Sequence, residues 1–230
     1  MNTFNFQNQP IAVFSDFDGT IAHPDTINFL TEIHGGLEFR RKISRRIRSG
    51  EITLRQGISA EISTIKGSLN EVLEFLIPQV RIDKHFPLFV NWCLKNDIPV
   101  TILSAGIKEV IEKLLTPHNL NNLQLRANSL EIVNGCWTLN FLDESPWGHD
   151  KSTALIKAKS EGYKTVFLGD GLSDLRAAER ADLVFSKREL TKLCQENSLP
   201  CIPFENFSQI NIQIKQLLLK GKIKHSSSTE

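Results

Sequence analysis

Two aspartates separated by one residue, Asp16 and Asp18, are the first residues of this chain whose types and spacing could do chemistry, and they lie in the segment DFDGT. Two carboxylates this close repel each other unless a cation or a shared proton neutralises them. Gly19 allows the backbone to turn sharply after them. The segment therefore predicts either a reactive acidic site or an acidic turn in which Thr20 caps a helix.

A second acidic pair, Asp170 and Asp174, lies in the segment GDGLSD, across a predicted strand-to-helix turn. Carboxylate oxygens in a tight loop suit Mg²⁺, which combines one or two protein carboxylates with phosphate oxygens and water. We therefore predict Mg²⁺ as the cofactor of this chain.

Two other segments could bind an anion. Ser104, Ala105 and Gly106 follow an apolar run and are predicted to open a helix, where backbone amides attract anions, unless Ser104 is an ordinary N-cap. Lys151 stands at the start of another predicted helix, where the helix dipole disfavours a cation. Its position favours an anionic partner, although an isolated lysine of this kind is more often solvated.

The elements that must position these residues alternate between strands and helices. Short apolar runs predict buried strands at 11–15, 98–103, 164–168 and 182–185, and helical spacing predicts helices at 107–115, 152–161 and 173–180. This order predicts an α/β fold with a three-layer, doubly wound, mostly parallel sheet. Ligands of such sheets bind beyond the carboxyl ends of the strands, so the four polar segments are expected to form one site. Carboxylates, a hydroxyl, an ammonium and a metal-binding pair suit phosphoryl transfer.

Two further features complete the predicted fold. Asn134-Gly135, between SLEIV and CWTLNF, predicts a β-hairpin over residues 129–141. Amphipathic helices at 26–33, 37–48, 54–65 and 69–77 predict a small inserted helical cap domain. We expect a core at 1–22 and 90–219, a cap at 23–89, and a flexible tail at 220–230.

The four motifs, in this order, resemble the haloacid dehalogenase superfamily of phosphohydrolases: DFDGT, LSAG at 103–106, Lys151 and GDGLSD. The resemblance extends from the N-terminus to Phe207, and the helical insertion resembles the type-1 cap of phosphoserine-phosphatase-like members. GDGLSDLRAAERADLVFSKREL followed by LPCIPFENF is most similar to the methionine-salvage branch, which contains 2-hydroxy-3-keto-5-methylthiopentenyl-1-phosphate phosphatase.

The resemblance implies a phosphomonoesterase acting on a small phosphorylated metabolite. Asp16 would be the nucleophile that forms an aspartyl-phosphate, and Asp18 would be the general acid and base. Asp16, the main-chain oxygen of Asp18 and Asp170 would bind Mg²⁺, and Asp174 would support them. Ser104, the Ala105-Gly106 segment and Lys151 would bind the phosphoryl oxygens.

Several residues near the cap have two interpretations. Asp25 either faces the substrate or caps the helix that starts at Thr26. The six cations within 40–48 form either a solvated face or a surface that steers anions. Trp147 and His149 could line the leaving-group pocket or simply pack.

The cap sequence argues against phosphoserine as the preferred substrate. Recognition of its carboxylate calls for an arginine, which phosphoserine phosphatases supply from a cap helix. An ungapped alignment with that helix places Ser59 or Glu61 of this chain at the positions that would face the carboxylate. Arg55 lies at least one helical turn earlier, and it would reach these positions only if the alignment were shifted. We therefore expect a neutral, polar substrate such as a keto-sugar phosphate.

Other functions are considered alongside this one. A phosphoserine phosphatase or a phosphotransferase of the same superfamily would share the motifs. A phospho-accepting receiver module is disfavoured, because it needs neither Asp18 nor the inserted helices. A dehalogenase would need neither Asp18 nor the metal pair.

Composition limits the partners. The 27 Lys and Arg residues nearly balance 26 Asp and Glu, which argues against a general nucleic-acid binder. An apolar run long enough to span a membrane and a signal-peptide pattern are both missing from the sequence, so we expect no membrane partner and a cytoplasmic monomer or homodimer. Four cysteines without a CxxC pair predict reduced thiols.

Overall fold

The computed structural model describes residues 9–223, and their side chains up to residue 218. The strands are β1 Ile11–Ser15, β2 Ala22–His23, β3 Arg81–Ile82, β4 Val100–Ile107, β5 Gln124–Val133, β6 Cys136–Asn140, β7 Lys164–Gly169, β8 Leu183–Ser186 and β9 Ile202–Pro203. The α-helices are α1 Thr26–His34, α2 Leu37–Arg48, α3 Leu54–Ile62, α4 Leu69–Leu76, α5 Phe86–Leu94, α6 Lys108–Leu115, α7 Ser152–Ser160, α8 Leu175–Arg180, α9 Arg188–Glu196 and α10 Phe207–Ile223.

The main sheet has the strand order β6-β5-β4-β1-β7-β8-β9. The β1–β7, β7–β8 and β8–β9 pairs are parallel. Every residue of β1 and of β4 is buried, as expected for strands covered on both faces. The predicted α/β class with a mostly parallel sheet is therefore confirmed.

The described residues divide into two compact units, and the first comprises 9–15, 83–101 and 151–223. Its helices α5 and α10 meet through aromatic rings, with the rings of Phe86 and Phe207 packed edge to face at 4.8 Å. The backbone N–H of Phe207 donates to Asp83 at 3.0 Å, which fixes the start of α10. The register of this unit pairs Ser15 with Leu168, so β1 and β7 end side by side.

The second unit comprises 16–82 and 102–150. Its helical segment contains α1 to α4, and two of these helices begin with complete capping boxes, at Thr53 and at Ser68. The two-residue strands β2 and β3 pair antiparallel at the two ends of this segment, with Ala22 opposite Ile82. Sequence analysis had predicted the helices, α2 with the bounds found here, but not this short strand pair.

The predicted hairpin is present in the same unit as β5 and β6. Asn134 and Gly135 both have positive φ, 51° and 75°, as the tight turn between such strands requires. Trp137 of this hairpin is fully buried, and its indole N–H donates to the carbonyl of Gly67 at 2.8 Å. The hairpin is thus joined to the segment between α3 and α4.

Several boundaries differ from the prediction, and the ends of β4 and α3 are two of them. The second predicted strand ended at 103, but β4 continues to Ile107, so Ser104, Ala105 and Gly106 lie inside a buried strand and do not open a helix. Small residues such as these are common in turns, but they also fit within a crowded, buried strand. Helix α3 ends at Ile62, three residues earlier than the pattern predicted.

The remaining predictions concern the chain end, the cysteines and the membrane. Helix α10 runs to Ile223, and the rest of the predicted tail, 224–230, lies outside the described residues. All four cysteines are free thiols, as predicted. Across residues 9–223, no helix has both the length and the apolar composition that crossing a membrane requires.

Candidate active site

The carboxylates of Asp16, Asp170 and Asp174 form the acidic cluster that the sequence predicted. Asp16 directly follows β1 and Asp170 directly follows β7, the two strands that end side by side. Each of the three carboxylates offers an oxygen, and these oxygens lie within 4.8 Å of one another. Hard oxygen donors at this spacing fit Mg²⁺.

Lys151 is buried and paired with Asp174. Its Nζ lies 2.6 Å from Asp174 Oδ1, and the two side chains are only 1% and 0% exposed. Nζ also donates to the Ser173 hydroxyl at 3.2 Å. The anionic partner predicted for Lys151 is therefore present, and the solvated alternative is wrong.

The second oxygen of Asp174 holds the turn after β7. Oδ2 accepts hydrogen bonds from the backbone amides of Asp170 and Gly171, at 2.9 and 3.0 Å. A Cβ on Gly169 would lie 2.6 Å from this carboxylate, so only glycine fits there. Asp174 thus fixes both the loop that carries Asp170 and the ammonium of Lys151.

Arg188 was not anticipated from the sequence. Its guanidinium lies 3.6 Å from Asp170 Oδ2 and places a second cation near the acidic turn of the first unit. The only hint is its position in SKRE, directly after β8.

Within the second unit, Asp18 is half-buried and accepts a hydrogen bond from the Thr26 amide at 2.7 Å. The pKa of Asp18 is raised to about 8, mainly by burial and then by the carboxylates of Asp25 and Asp16, while the hydrogen bond from the Thr26 amide partly opposes the shift. A carboxyl group with this pKa is protonated at neutral pH and can donate a proton.

Gly106 lies directly against Asp18. A Cβ at this position would stand 2.7 Å from Asp18 Oδ2 and 3.0 Å from Ser104 Oγ. The Gly106 amide donates to that same Ser104 oxygen at 2.9 Å. The Ser-Ala-Gly segment therefore meets Asp18 as predicted, although from a strand end and without a helix N-terminus.

Asn128 supports this strand end and was also missed by the sequence analysis. It is fully buried on β5, donates to the Ala105 carbonyl at 2.8 Å and accepts from the Leu142 amide at 3.0 Å. No local pattern identifies it, because its partners lie 23 and 14 residues away in the chain.

Asp25 caps α1 by accepting a hydrogen bond from the Asn28 amide at 2.8 Å. The N-cap interpretation is therefore correct, and it does not exclude an orientation toward substrate. Burial raises the pKa of Asp25, although the Asn28 amide and the Arg40 guanidinium oppose the shift.

The cluster of cations on α2 is mostly a solvated face. Arg45 and Arg46 form ion pairs with Glu38 and Glu51 at the surface, and Arg41 and Lys42 are exposed. Arg40 differs, since its side chain is 26% exposed and pairs with Glu32 at 2.6 Å.

The loop before Lys151 is organised by Asp143. This carboxylate accepts hydrogen bonds from the backbone amides of Ser145 and Asp150, both at 2.9 Å, and lies 3.0 Å from His149 Nδ1. Burial would raise the pKa of Asp143, but these hydrogen bonds outweigh it and lower the pKa to about 2. His149 is fully buried and Trp147 half-buried.

Comparisons with known proteins show the family of this chain. The family model described as haloacid dehalogenase-like hydrolase matches residues 13–179. The chain belongs to the haloacid dehalogenase-like hydrolases. A polyol phosphate phosphatase of Saccharomyces cerevisiae is 32% identical over 228 residues, covering 91% of this chain and 95% of that protein. A 2-hydroxy-3-keto-5-methylthiopentenyl-1-phosphate phosphatase of Bacillus cereus is 30% identical over 215 residues, covering 90% and 97%.

Solved structures of this family share the fold. A substrate-bound phosphoserine phosphatase superposes with a TM-score of 0.68 at 21% identity and covers 89% of this chain and 98% of its own. Likeness at this identity supports the fold alone. Together, the family and the sequence relatives show that this haloacid dehalogenase-like hydrolase is a phosphoric monoester hydrolase.

The space against Asp18 predicts the effect of Gly106→Ala. The added methyl group must displace Asp18 or Ser104, and a shift of about 1 Å in a catalytic group costs on the order of a hundredfold in rate. We expect kcat/KM for p-nitrophenyl phosphate to fall on that order while the thermal midpoint stays close to wild type. Gly171→Ala is the control, since its Cβ meets nothing within 4 Å. Equal activity of the two variants would contradict this role of Gly106.

The buried ion pair predicts a loss of stability in Lys151→Met. Removing the ammonium leaves the Asp174 charge buried, which typically costs about 3–5 kcal/mol of unfolding free energy. Lys157→Met removes an exposed partner 3.9 Å from Glu161 and should cost at most about 1 kcal/mol. Adding Asp174→Asn to Lys151→Met should recover stability but not activity, as measured by chemical denaturation and phosphate release. Wild-type stability of Lys151→Met would refute the argument.

Proposed function

We propose that this hydrolase is a Mg²⁺-dependent phosphomonoesterase that works through an aspartyl-phosphate on Asp16. We further propose that its substrate is a small, neutral, polar metabolite such as a polyol or keto-sugar phosphate. The observation that carries the chemistry is the acidic cluster of Asp16, Asp170 and Asp174, in which Asp174 is paired with the buried Lys151.

In the first step of the proposed reaction, a carboxylate oxygen of Asp16 attacks phosphorus, and the bond between phosphorus and the ester oxygen breaks. Asp18 donates its proton to the departing oxygen, as its raised pKa permits. In the second step a water molecule attacks the phosphorus, Asp18 takes a proton from it, and Asp16 is released with free phosphate.

The other residues of the proposed site bind and orient. Ser104, the Gly106 amide and Lys151 contact the phosphoryl oxygens. Asp16, the Asp18 carbonyl and Asp170 would hold Mg²⁺, and Asp174 keeps Lys151 and the Asp170 loop in place. When bound, Mg²⁺ supplies positive charge against the phosphoryl oxygens.

The structure of the cap residues supports a substrate without a carboxylate. Ser59 donates its hydroxyl to the Arg55 carbonyl at the surface. Arg55 itself binds the Asp143 carbonyl and Glu144, and its guanidinium stacks over the Phe141 ring at 4.4 Å from the centroid. Arg55 would have to break these contacts before it could bind a substrate carboxylate.

The two named relatives favour the same substrate class. Polyol phosphate and the methylthiopentenyl phosphate of methionine salvage are both phosphorylated, hydroxylated molecules, and neither name includes a free carboxylate. We place polyol phosphates first because the polyol phosphate phosphatase has the higher identity of the two, 32% against 30%.

Substitution of the two motif aspartates tests the covalent mechanism. Asp16→Asn should form no phosphoenzyme and release no phosphate. Asp18→Asn should lose about 10²- to 10⁴-fold in turnover of alkyl phosphates and accumulate phosphoenzyme from p-nitrophenyl phosphate, whose leaving group needs no proton. Both steps are expected to stop with chelator and to resume with added Mg²⁺. Substantial turnover by Asp16→Asn, or by metal-free wild type, would refute the proposed mechanism.

A substrate panel tests the proposed specificity. We expect kcat/KM for phosphoserine to rank below that for polyol and keto-sugar phosphates, because the cap offers no uncommitted arginine at the predicted positions. Adding acceptor alcohols during the assay separates hydrolysis from phosphotransfer, since transfer would divert product from free phosphate. Phosphoserine in first place would move the chain to the phosphoserine phosphatase alternative.

The predicted boundaries of core and cap, the cytoplasmic location and the monomeric or homodimeric state stay predictions. Limited proteolysis would locate the boundaries, and sedimentation would measure the oligomeric state.

A further inference from the structure

Glu61 is a buried acid for which the fold provides no obvious reason. It lies on α3 with 6% exposure, between the buried apolar residues Ile58 and Ile62. Within the part of the chain that the structure describes, its carboxylate has no hydrogen bond and no ion pair. Neither carboxylate oxygen is among the fully buried side-chain atoms that lack a partner, so the group stays within reach of a ligand that can pair with it.

Two charged side chains act on this carboxyl group, and both belong to the same unit. The pKa of Glu61 is raised to about 7, mainly by burial and then by the Asp25 carboxylate, while Arg40 partly opposes the shift. Asp25 in turn raises the pKa of Asp18. The three acids therefore form an electrostatically linked series from α3 to the proposed general acid.

Arg40 does not neutralise Glu61 by direct contact. Its Nε pairs with Glu32 at 2.6 Å, and its Nη1 donates to the Asn28 side chain at 3.3 Å. Arg40, the arginine that acts on both Glu61 and Asp25, is thus already held by groups on α1, and it is poorly placed to receive a substrate carboxylate.

The acids Asp25 and Glu61 favour some leaving groups over others. A carboxyl group that titrates near neutral pH can accept a hydrogen bond from a hydroxyl or donate one to it. A substrate carboxylate would face two like charges, those of Asp25 and ionised Glu61, and would be repelled. A neutral leaving group with hydroxyls satisfies the buried acid, whereas an alkyl leaving group leaves it unpaired.

We propose that Glu61, beside Asp25, binds a hydroxyl of the leaving group and excludes carboxylated leaving groups, so that it determines the preference for neutral hydroxylated monophosphates. This inference rests on the proposed function. Glu61 is a specificity-determining residue in this account, and it takes no part in the transfer of the phosphoryl group.

The test compares substrates that differ only in the groups that Glu61 would contact. Glycerol 1-phosphate and n-propyl phosphate have the same three carbons, with and without hydroxyls, and 3-phosphoglycerate adds a carboxylate. In Glu61→Gln, the kcat/KM ratio of glycerol phosphate to propyl phosphate should fall by about tenfold, since the hydroxyl then pairs with a neutral amide and the stronger, charge-assisted hydrogen bond to a carboxylate is lost. The ratio of phosphoglycerate to glycerol phosphate should rise.

Controls separate this role from a structural one. Glu74→Gln makes the same change at an exposed position of α4 and should leave both ratios at wild-type values. Glu61→Asp keeps the charge but shortens the side chain, and it should retain the discrimination against phosphoglycerate. An equal loss for glycerol and propyl phosphates in Glu61→Gln, or unchanged ratios, would overturn the inference.

The same panel distinguishes failure of this inference from failure of the proposed function. A wild-type protein that hydrolyses no monoester, p-nitrophenyl phosphate included, would refute the proposed function itself. A wild-type protein that hydrolyses p-nitrophenyl phosphate but treats glycerol and propyl phosphates alike would refute only the role of Glu61.

Discussion

Repulsion between close carboxylates is the constraint on which the rest of this structure depends. Asp16, Asp170 and Asp174 have oxygens within 4.8 Å of one another, and Asp18 and Asp25 are two further acids in the second unit. Such a group of acids would oppose folding if it were left unbalanced. The fold balances it in two ways: a buried ammonium and backbone amides hold Asp174, and burial keeps Asp18 protonated.

Close approach of these acids also restricts the backbone around them. Gly169 and Gly106 lie where a Cβ would come within 2.6 and 2.7 Å of the Asp174 and Asp18 carboxylates. LSAG and GDGLSD were defined by their polar residues, but the glycine in each motif is required as well, because a larger residue would collide with a carboxylate. A glycine here supplies room for a side-chain oxygen, and neither position needs the positive φ that only glycine adopts easily.

Prediction from the sequence succeeded where the signal was local and failed where it was distant. Apolar runs identified β1 and β7, and the Asn134-Gly135 turn identified the hairpin. The small residues of LSAG suggested a helix start, because composition alone does not distinguish a turn from a crowded buried strand. Asn128 escaped prediction, since its hydrogen-bond partners lie 23 and 14 residues away and only the folded chain brings them near. The burial of Glu61 escaped it as well, although its place on α3 was predicted.

The pairing of β2 with β3 has a consequence for how this family can vary. Ala22 and Ile82 lie opposite each other, so the whole helical segment leaves and rejoins the chain at adjacent points. A segment anchored in this way behaves as a cassette, because its length and content can change while its two ends stay where they are. Thr26, whose amide holds Asp18, lies just beyond β2 and inside that cassette. Replacing the cassette would therefore exchange α1 to α4 and, in the same event, the Thr26 amide that holds Asp18.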